Sequence, residues 1–195
     1  MIAIIKYNAG NITSVKNAVE RLGYGCKVTD DIGEILSAEK VIFPGVGEAG
    51  SAITYLKNRG LDEVIQSLVQ PTLGVCLGLQ LMCRHSEEGN TECLDIFDAD
   101  VKKFPATDIV PHMGWNYVDT KKECELTRLL PENPRFYFVH SYFIESDRAG
   151  DVMFETQYGN RFASGLHHEN KYAVQFHPEK SHKFGLKLFE NFLNL

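Results

Sequence analysis

The run Gly74-Val75-Cys76-Leu77-Gly78-Leu79-Gln80 leaves this chain few ways to fold. An apolar strand, Pro71 to Val75, passes through one residue straight into a helix, Leu77 to Arg84, with no loop between them. A turn that sharp strains the residue at its apex and holds that side chain above the sheet, while the flanking glycines let neighbouring backbones approach closely. The pattern is the thiol form of a nucleophile elbow, G-x-C-x-G. The helix aims unpaired N–H groups and the positive end of its dipole at the sulfur, which favours thiolate. Cys76 is the expected nucleophile.

The segments around the elbow have the same character. Ile2 to Lys6 is a short apolar strand, followed by a turn in which Asn11 is placed to cap a helix. That helix turns Ile12, Val15, Val19 and Leu22 inward and stops at Gly23. Cys26 to Thr29 and Val41 to Phe43 read as strands, the latter ending at Pro44-Gly45-Val46-Gly47; helices are expected from Glu48 to Asn58 and from Leu61 to Val69. Alternating β and α units imply an α/β fold with a parallel sheet covered by helices. Ligands bind beyond the carboxyl ends of such strands, and the Asn8–Asn11, Pro44–Gly47 and Gly74–Gly78 turns all fall there.

The second half changes. Phe97 to Phe104, Asn116 to Asp119, Arg135 to Glu145, Val152 to Gln157, Arg161 to Leu166 and Tyr172 to Phe176 read as strands, with turns at Gly159-Asn160 and Glu169-Asn170. The closing helix is expected to be capped by Ser181 and to bury Phe184, Leu188, Phe189 and Phe192. With no repeat, linker or low-complexity tract, residues 1–195 read as one mixed α/β domain.

Composition narrows the function. A net charge of −6 argues against a nucleic-acid binder that depends on phosphate contacts. No apolar stretch approaches the ~18 residues of a membrane span, and the first residues turn polar too soon for a signal peptide. Five cysteines, odd in number and without C-x-x-C spacing, suit free thiols in a reducing cytoplasm.

A thiol nucleophile needs a base, and the base needs an orienting group. His177-Pro178-Glu179 follows the Tyr172–Phe176 strand; residues two apart in an extended segment project to one side, and the proline stiffens the geometry. The order Cys, His, Glu differs from the Ser, Asp, His order of α/β-hydrolases. The backbone N–H of Leu77 is one candidate oxyanion donor, and the Gly45-Val46-Gly47 turn offers a second. Plainer readings compete. A free cysteine is commonly a small buried hydrophobe, which is the reading kept for Cys26, Cys83, Cys93 and Cys124. Cys83, His85 and Cys93 match no common zinc spacing, and adjacent His167 and His168 face opposite ways on a strand, so no metal is expected. The Pro44–Gly47 turn lacks the lysine and hydroxyl of a phosphate loop.

The elbow together with His177-Pro178-Glu179 resembles a class I, triad-type glutamine amidotransferase domain. Tyr7-Asn8-Ala9-Gly10-Asn11, Pro44–Gly47, Ser86-Glu87-Glu88, Pro111-His112-Met113-Gly114-Trp115-Asn116, Tyr137–Tyr142 and His177–Ser181 narrow the likeness to the family of glutaminase subunits of imidazole glycerol phosphate synthase, in histidine biosynthesis. These motifs span residues 7–181, essentially the whole chain. The Pro111–Asn116 run is the most specific of them.

The resemblance implies a flavodoxin-like, mostly parallel sheet flanked by helices, with additional antiparallel strands in the C-terminal half. It implies that Cys76 attacks the glutamine carboxamide, that His177 moves the protons and that Glu179 orients His177, with a thioester intermediate. Val46 and Leu77 would form the oxyanion hole, Val46 being turned away until a partner is engaged. Gly47, Gln80, Glu88, Ser141 and Tyr142 would hold the glutamine, with Glu87 the alternative carboxylate. No cofactor is implied. The implied partner is a (β/α)8-barrel cyclase subunit that receives the ammonia, docking against Asn11, Trp115, Tyr137 and Lys180. For Trp115, the only tryptophan, a place in the core is the alternative.

Three other functions compete. A glutaminase serving a pyridoxal phosphate or guanylate synthase is opposed by the Pro111–Asn116 run and Lys180. A free-standing cysteine hydrolase of γ-glutamyl peptides would need no partner. An inactive binding module is disfavoured because Cys76, His177 and Glu179 are all present.

Overall fold

The computed structural model describes all 195 residues. In the first half β1 (Ile2–Ile5), α1 (Ile12–Arg21), β2 (Cys26–Thr29), α2 (Ile32–Ser37), β3 (Lys40–Phe43), α3 (Ala49–Lys57), α4 (Leu61–Ser67), β4 (Thr72–Val75) and α5 (Leu77–Met82) follow one another. The second half holds β5 (His85–Ser86), β6 (Thr91–Glu92), β7 (Ala99–Lys103), β8 (His112–Tyr117), β9 (Asp119–Thr120), β10 (Arg135–His140), β11 (Tyr142–Ser146), β12 (Val152–Tyr158), β13 (Asn160–His168), β14 (Lys171–Val174) and α6 (His182–Leu193).

The main sheet runs β2-β1-β3-β4-β14-β13-β11-β7-β5-β6, with β12 and β9 attached through β13. It is parallel from β2 to β14 and mostly antiparallel beyond. Strands buried on both faces need apolar residues at successive positions, and β1 supplies them. Ala3 and Ile5 enter the core under α3 and α4, whereas Ile2 and Ile4 enter the core under α1 and α6. Because β14 lies parallel to β4, the segment after Val174 emerges beside the segment after Val75. That adjacency carries His177 to Cys76 from far along the chain. No helix is long and apolar enough to cross a membrane.

Several expected boundaries move. The stretch Arg135–Glu145 is two strands, not one. It breaks at Ser141, where the chain leaves a two-stranded antiparallel ribbon, β8–β10, and enters the main sheet as β11. The expected strand at Asn116–Asp119 falls across the end of β8, which begins at His112 and passes through Gly114 with φ 129°, and the start of β9. Helix α5 stops at Met82, because Cys83 turns extended and releases Arg84 to Asp98, Asp100 and Asp147. Helix α2 has no counterpart among the expected elements, although Asp31 caps it by accepting from the Glu34 N–H.

Two expected helix caps are diverted. Asn11 sits at the start of α1 in the left-handed region (φ 71°) and its side chain bonds nothing in that helix. Ser181 precedes α6, yet its hydroxyl donates to the His177 carbonyl at 2.6 Å and accepts from the Tyr137 N–H at 2.9 Å. Both boundaries stand where the sequence places them, but both side chains serve the segment around His177. Phe184 is half-buried, while Leu188, Phe189 and Phe192 are buried as expected.

Candidate active site

Cys76 joins β4 to α5 at φ 54° and ψ −106°, a strained conformation for a residue with a side chain. Its N–H donates to the Val174 carbonyl at 2.8 Å, which fixes the elbow to β14. The flanking glycines are required by contact. A Cβ on Gly78 would lie 1.8 Å from the Phe43 carbonyl oxygen, and one on Gly74 would lie 2.7 Å from Met82 Sδ.

His177 is fully buried, and its Nδ1 donates to Glu179 Oε1 at 2.6 Å. The two residues are not in an extended segment as the sequence suggested. Pro178–Lys180 forms a single 3-10 turn, with proline at its first position where no N–H is needed. Nδ1 is committed to the carboxylate, so Nε2 is the nitrogen left for the sulfur. Nε2 is buried and has no partner of ordinary hydrogen-bond geometry; catalytic contacts of this kind tighten when substrate enters. Burial lowers the imidazole pKa, but the charge on the nearby Cys76 sulfur and then Glu179 outweigh it and raise it to about 10. Asn11 Nδ2 donates to Glu179 Oε1 as well and lies 3.3 Å from His177 Nδ1. Asn11, expected at the face that docks a partner, has its amide in this cluster.

A cavity of 260 Å³ opens at the sulfur, and its walls include Val46, Gly47, Leu77, Gln80, Glu88, Ser141 and Tyr142. Larger clefts of 810 and 750 Å³ lie on the far side, around Glu125 and Leu129, away from Cys76. The two adjacent glutamates separate cleanly. Glu87 accepts from the Lys103 N–H at 2.7 Å and faces Lys102, whereas Glu88 lines the cavity and accepts from the Ala49 N–H at 2.8 Å. Burial, with Glu48 adding to it, raises the Glu88 pKa against that hydrogen bond. A carboxylate there that lacks a cation is a natural seat for an ammonium group.

The expected oxyanion hole is not assembled. The Leu77 N–H donates to the Gly45 carbonyl at 3.1 Å and is therefore occupied. The Val46 carbonyl accepts from the Gly10 N–H at 3.0 Å, which pins the turn from its other side. Tyr7, buried beneath, donates its hydroxyl to the Pro44 carbonyl at 2.7 Å. The Pro44–Gly47 turn must rotate a peptide before Leu77 can receive an anion.

Outside the cavity, Trp115, Tyr137 and Lys180 meet in one patch. Trp115 and Tyr137 are register partners on the β8–β10 ribbon, with rings 6.1 Å apart, and Lys180 Nζ lies 5.9 Å from the Tyr137 ring. Trp115 is 39% exposed and stacks on His182 at 5.2 Å, so it is not a core tryptophan. Met113, inside the Pro111–Asn116 run, and Tyr117, just beyond it, extend the same exposed face of β8.

Three polar residues beside the cavity are likewise absent from the sequence-derived site. Gln175 is fully buried and donates from Nε2 to Cys76 Sγ at 3.7 Å. His140 donates from Nδ1 to the Tyr142 carbonyl at 2.6 Å, and its Nε2 lies 2.9 Å from His112 Nδ1. The available signal is a lone polar residue in a buried strand, as in Ala173-Val174-Gln175-Phe176, since such a residue needs a specific partner.

The family model "Glutamine amidotransferase class-I" matches residues 3–195. A Bacteroides thetaiotaomicron protein named imidazole glycerol phosphate synthase subunit HisH is 51% identical, over 100% of this chain and 99% of its own length. The Haemophilus influenzae protein of the same name is 44% identical, over 98% and 96%. Among solved structures, PurLQS from Thermotoga maritima contains a chain that superposes with a TM-score of 0.75 at 14% identity, covering 99% of this chain and 97% of that one. That likeness speaks for the fold alone.

Proposed function

The chain belongs to the class-I glutamine amidotransferases, and from that premise we propose that it is the glutaminase subunit of imidazole glycerol phosphate synthase, acting in histidine biosynthesis. It hydrolyses L-glutamine to glutamate and hands the ammonia to a (β/α)8-barrel cyclase subunit. The observation that carries this reading is the cluster of Cys76, His177 and Glu179, whose sulfur opens on a small cavity walled by an unneutralised carboxylate, Glu88.

Glu88 takes the substrate α-ammonium, Gln80 and Gly47 lie along its path, and the Ser141–Tyr142 corner holds the α-carboxylate, leaving the carboxamide over the sulfur. His177 takes the thiol proton, and the resulting ion pair is favoured by the same charges that raise the imidazole pKa to about 10. Sγ bonds to the amide carbon, and the oxygen becomes an anion held by the Leu77 and Val46 N–H groups. The C–N bond breaks as His177 returns its proton to the departing nitrogen. Water, deprotonated by His177, then cleaves the γ-glutamyl thioester and restores the thiol. Glu179 keeps the imidazole in the one tautomer that serves every step.

The Leu77–Gly45 hydrogen bond explains why the chain without its partner is expected to be nearly idle. A missing oxyanion donor costs about 2.7–4 kcal/mol in kcat, and here one donor is taken by its own neighbour. Docking of the cyclase on the Trp115–Tyr137–Lys180 patch is the event that frees it.

Co-purification with the cyclase tests the reading, scoring glutamate release with and without the nucleotide acceptor. Release should rise steeply in the complex with acceptor. Cys76→Ala should abolish it while leaving ammonia-dependent cyclase activity and the complex intact. Equal glutaminase rates with and without the cyclase would instead identify a free-standing hydrolase.

A further inference from the structure

Gln175 has no place in the steps above, yet its amide contacts the reacting sulfur. It follows β14 directly, its backbone N–H donates to the Ser164 carbonyl at 2.9 Å, and its side chain is fully buried. Nε2 donates to Cys76 Sγ at 3.7 Å, a span the large sulfur atom still bridges. On its other side, Oε1 accepts from Gln80 Nε2 at 3.0 Å.

The direction of this chain matters. A primary amide can present either its NH2 or its oxygen to the sulfur, with opposite consequences for an anion there. Gln80, one helical turn beyond Cys76 on α5, donates to the Gln175 oxygen and so leaves the NH2 for the sulfur. Gln80 then keeps its own oxygen available on the cavity side, where it is an acceptor for an ammonium group. Backbone bonds hold both glutamines close to the elbow: the Cys76 N–H donates to the carbonyl of Val174, the residue before Gln175, and the Gln80 N–H donates to the Cys76 carbonyl at 3.2 Å. The amide is therefore preorganised, as an electrostatic donor in a catalytic site must be.

We propose that Gln175 is a fourth catalytic residue, whose amide stabilises and aims the Cys76 thiolate, with Gln80 as the positioning residue that fixes the direction of the amide. The inference rests on Cys76 being the nucleophile. In the ground state the Gln175 NH2 offsets part of the negative charge on sulfur. As the C–S bond forms, that charge passes to the carboxamide oxygen and the Gln175 contact relaxes. The amide thus sets how much of the sulfur is ready to react, and it makes no contact with the bound glutamine.

Gln175→Met keeps the side chain's length without the donor, and Gln175→Glu replaces the donor with an oxygen. Iodoacetamide labelling of the Cys76 peptide in the full-length chain, followed by mass spectrometry across pH, reads the sulfur directly. Q175M should label about tenfold more slowly near pH 7 and converge with the unmutated chain at alkaline pH, as loss of one charge-assisted hydrogen bond requires. Q175E should be slower still near pH 7. In the complex with the cyclase, Q175M should lower kcat for glutamine by roughly tenfold or more with KM within about threefold. A merely structural glutamine would lower the melting temperature and leave the labelling profile unchanged; that result overturns the proposal. If Q175M does not fold, Gln80→Met lets the Gln175 amide turn, and labelling near pH 7 should slow by a few-fold; an unchanged profile overturns the proposal equally. The underlying reading fails separately, if Cys76→Ala retains glutaminase activity.

Discussion

Two buried histidine clusters lie near the same cavity, and their surroundings push the imidazole pKa in opposite directions. His177 sits between Glu179 and the Cys76 sulfur, and its pKa rises to about 10 although burial works against it. His112 and His140 form the second cluster, on the β8–β10 ribbon. Burial alone lowers His112 to about 4, and burial together with its imidazole neighbours lowers His140 to about 3. The second cluster is consistent with two neutral rings: His140 donates to the Tyr142 carbonyl and accepts from His112 Nδ1, while Asn116 Nδ2, at 3.2 Å, donates to His112 Nε2. Rings 3.9 and 4.7 Å away, Tyr158 and Phe138, stack on His112 and keep water out. Burial by itself makes an imidazole neutral, and a structural part is built that way. An adjacent anion reverses the sign and makes a proton carrier.

The largest test removes the anion. Cys76→Ala should reduce glutamine turnover by at least about 10⁴-fold, as loss of a triad nucleophile does. It should also move His177 toward the neutral group, its imidazole NMR titration falling well below 10. A titration that stays near 10 would assign the shift to Glu179 instead of sulfur. Next, Glu179→Gln keeps the shape but frees the ring to adopt the wrong tautomer, and kcat should drop by roughly 10³-fold with KM little changed.

On the neutral side, His140→Leu leaves the Tyr142 carbonyl and His112 Nδ1 without partners. Urea denaturation should show a loss of about 2–4 kcal/mol, since each orphaned buried group costs about 1–3 kcal/mol. The KM for glutamine should rise by several-fold because the Ser141–Tyr142 corner loosens. An unchanged KM would separate the histidine pair from substrate binding.

The smallest expected effect is in stability against pH, and it carries opposite signs in the two clusters. His112 and His140 have depressed values, so the unfolded chain binds more protons below about 6.5. Their contribution is complete above that pH and is lost as pH falls toward 4 and 3. His177 has a raised value; its contribution is complete below about 6.5 and is lost as pH rises toward 10. Thermal melts of H140L and H177L across this range should flatten the acid and alkaline limbs respectively. Both variants flattening the same limb would refute the contrast.

The sequence exposed the charged cluster far better than the neutral one, and the reason is geometric. Gly74, Gly78 and the strand-to-helix switch around Cys76 are local constraints written in adjacent residues. The parallel half was legible for the same reason, because its central strands β1, β3 and β4 are buried on both faces and read as largely apolar runs. His112 and His140 meet only because β8 and β10 pair in a ribbon, and nothing within Arg135–Glu145 marks where the chain changes sheets at Ser141. Asn11 and Ser181 stand correctly as helix starts, but capping propensity is a local rule and cannot foresee a carboxylate or carbonyl arriving from another segment to claim the side chain. Gln175 was hidden by its position. Its one signal, a lone polar residue in an apolar run, says that a partner is needed but not which, until the sheet order sets β14 beside β4 and Cys76.

Strand β10 acts as a splint between outside and inside. Tyr137 presents its ring to the outer patch, while its backbone carbonyl accepts from the His177 N–H at 2.9 Å and its N–H donates to Ser181. At its far end the same strand runs into the Ser141 corner of the cavity. The ribbon therefore cannot shift without dragging the imidazole with it. An antagonist wedged beneath Trp115 and Tyr137 would misalign the proton carrier from outside the pocket, and it would have no need to compete with glutamine for entry.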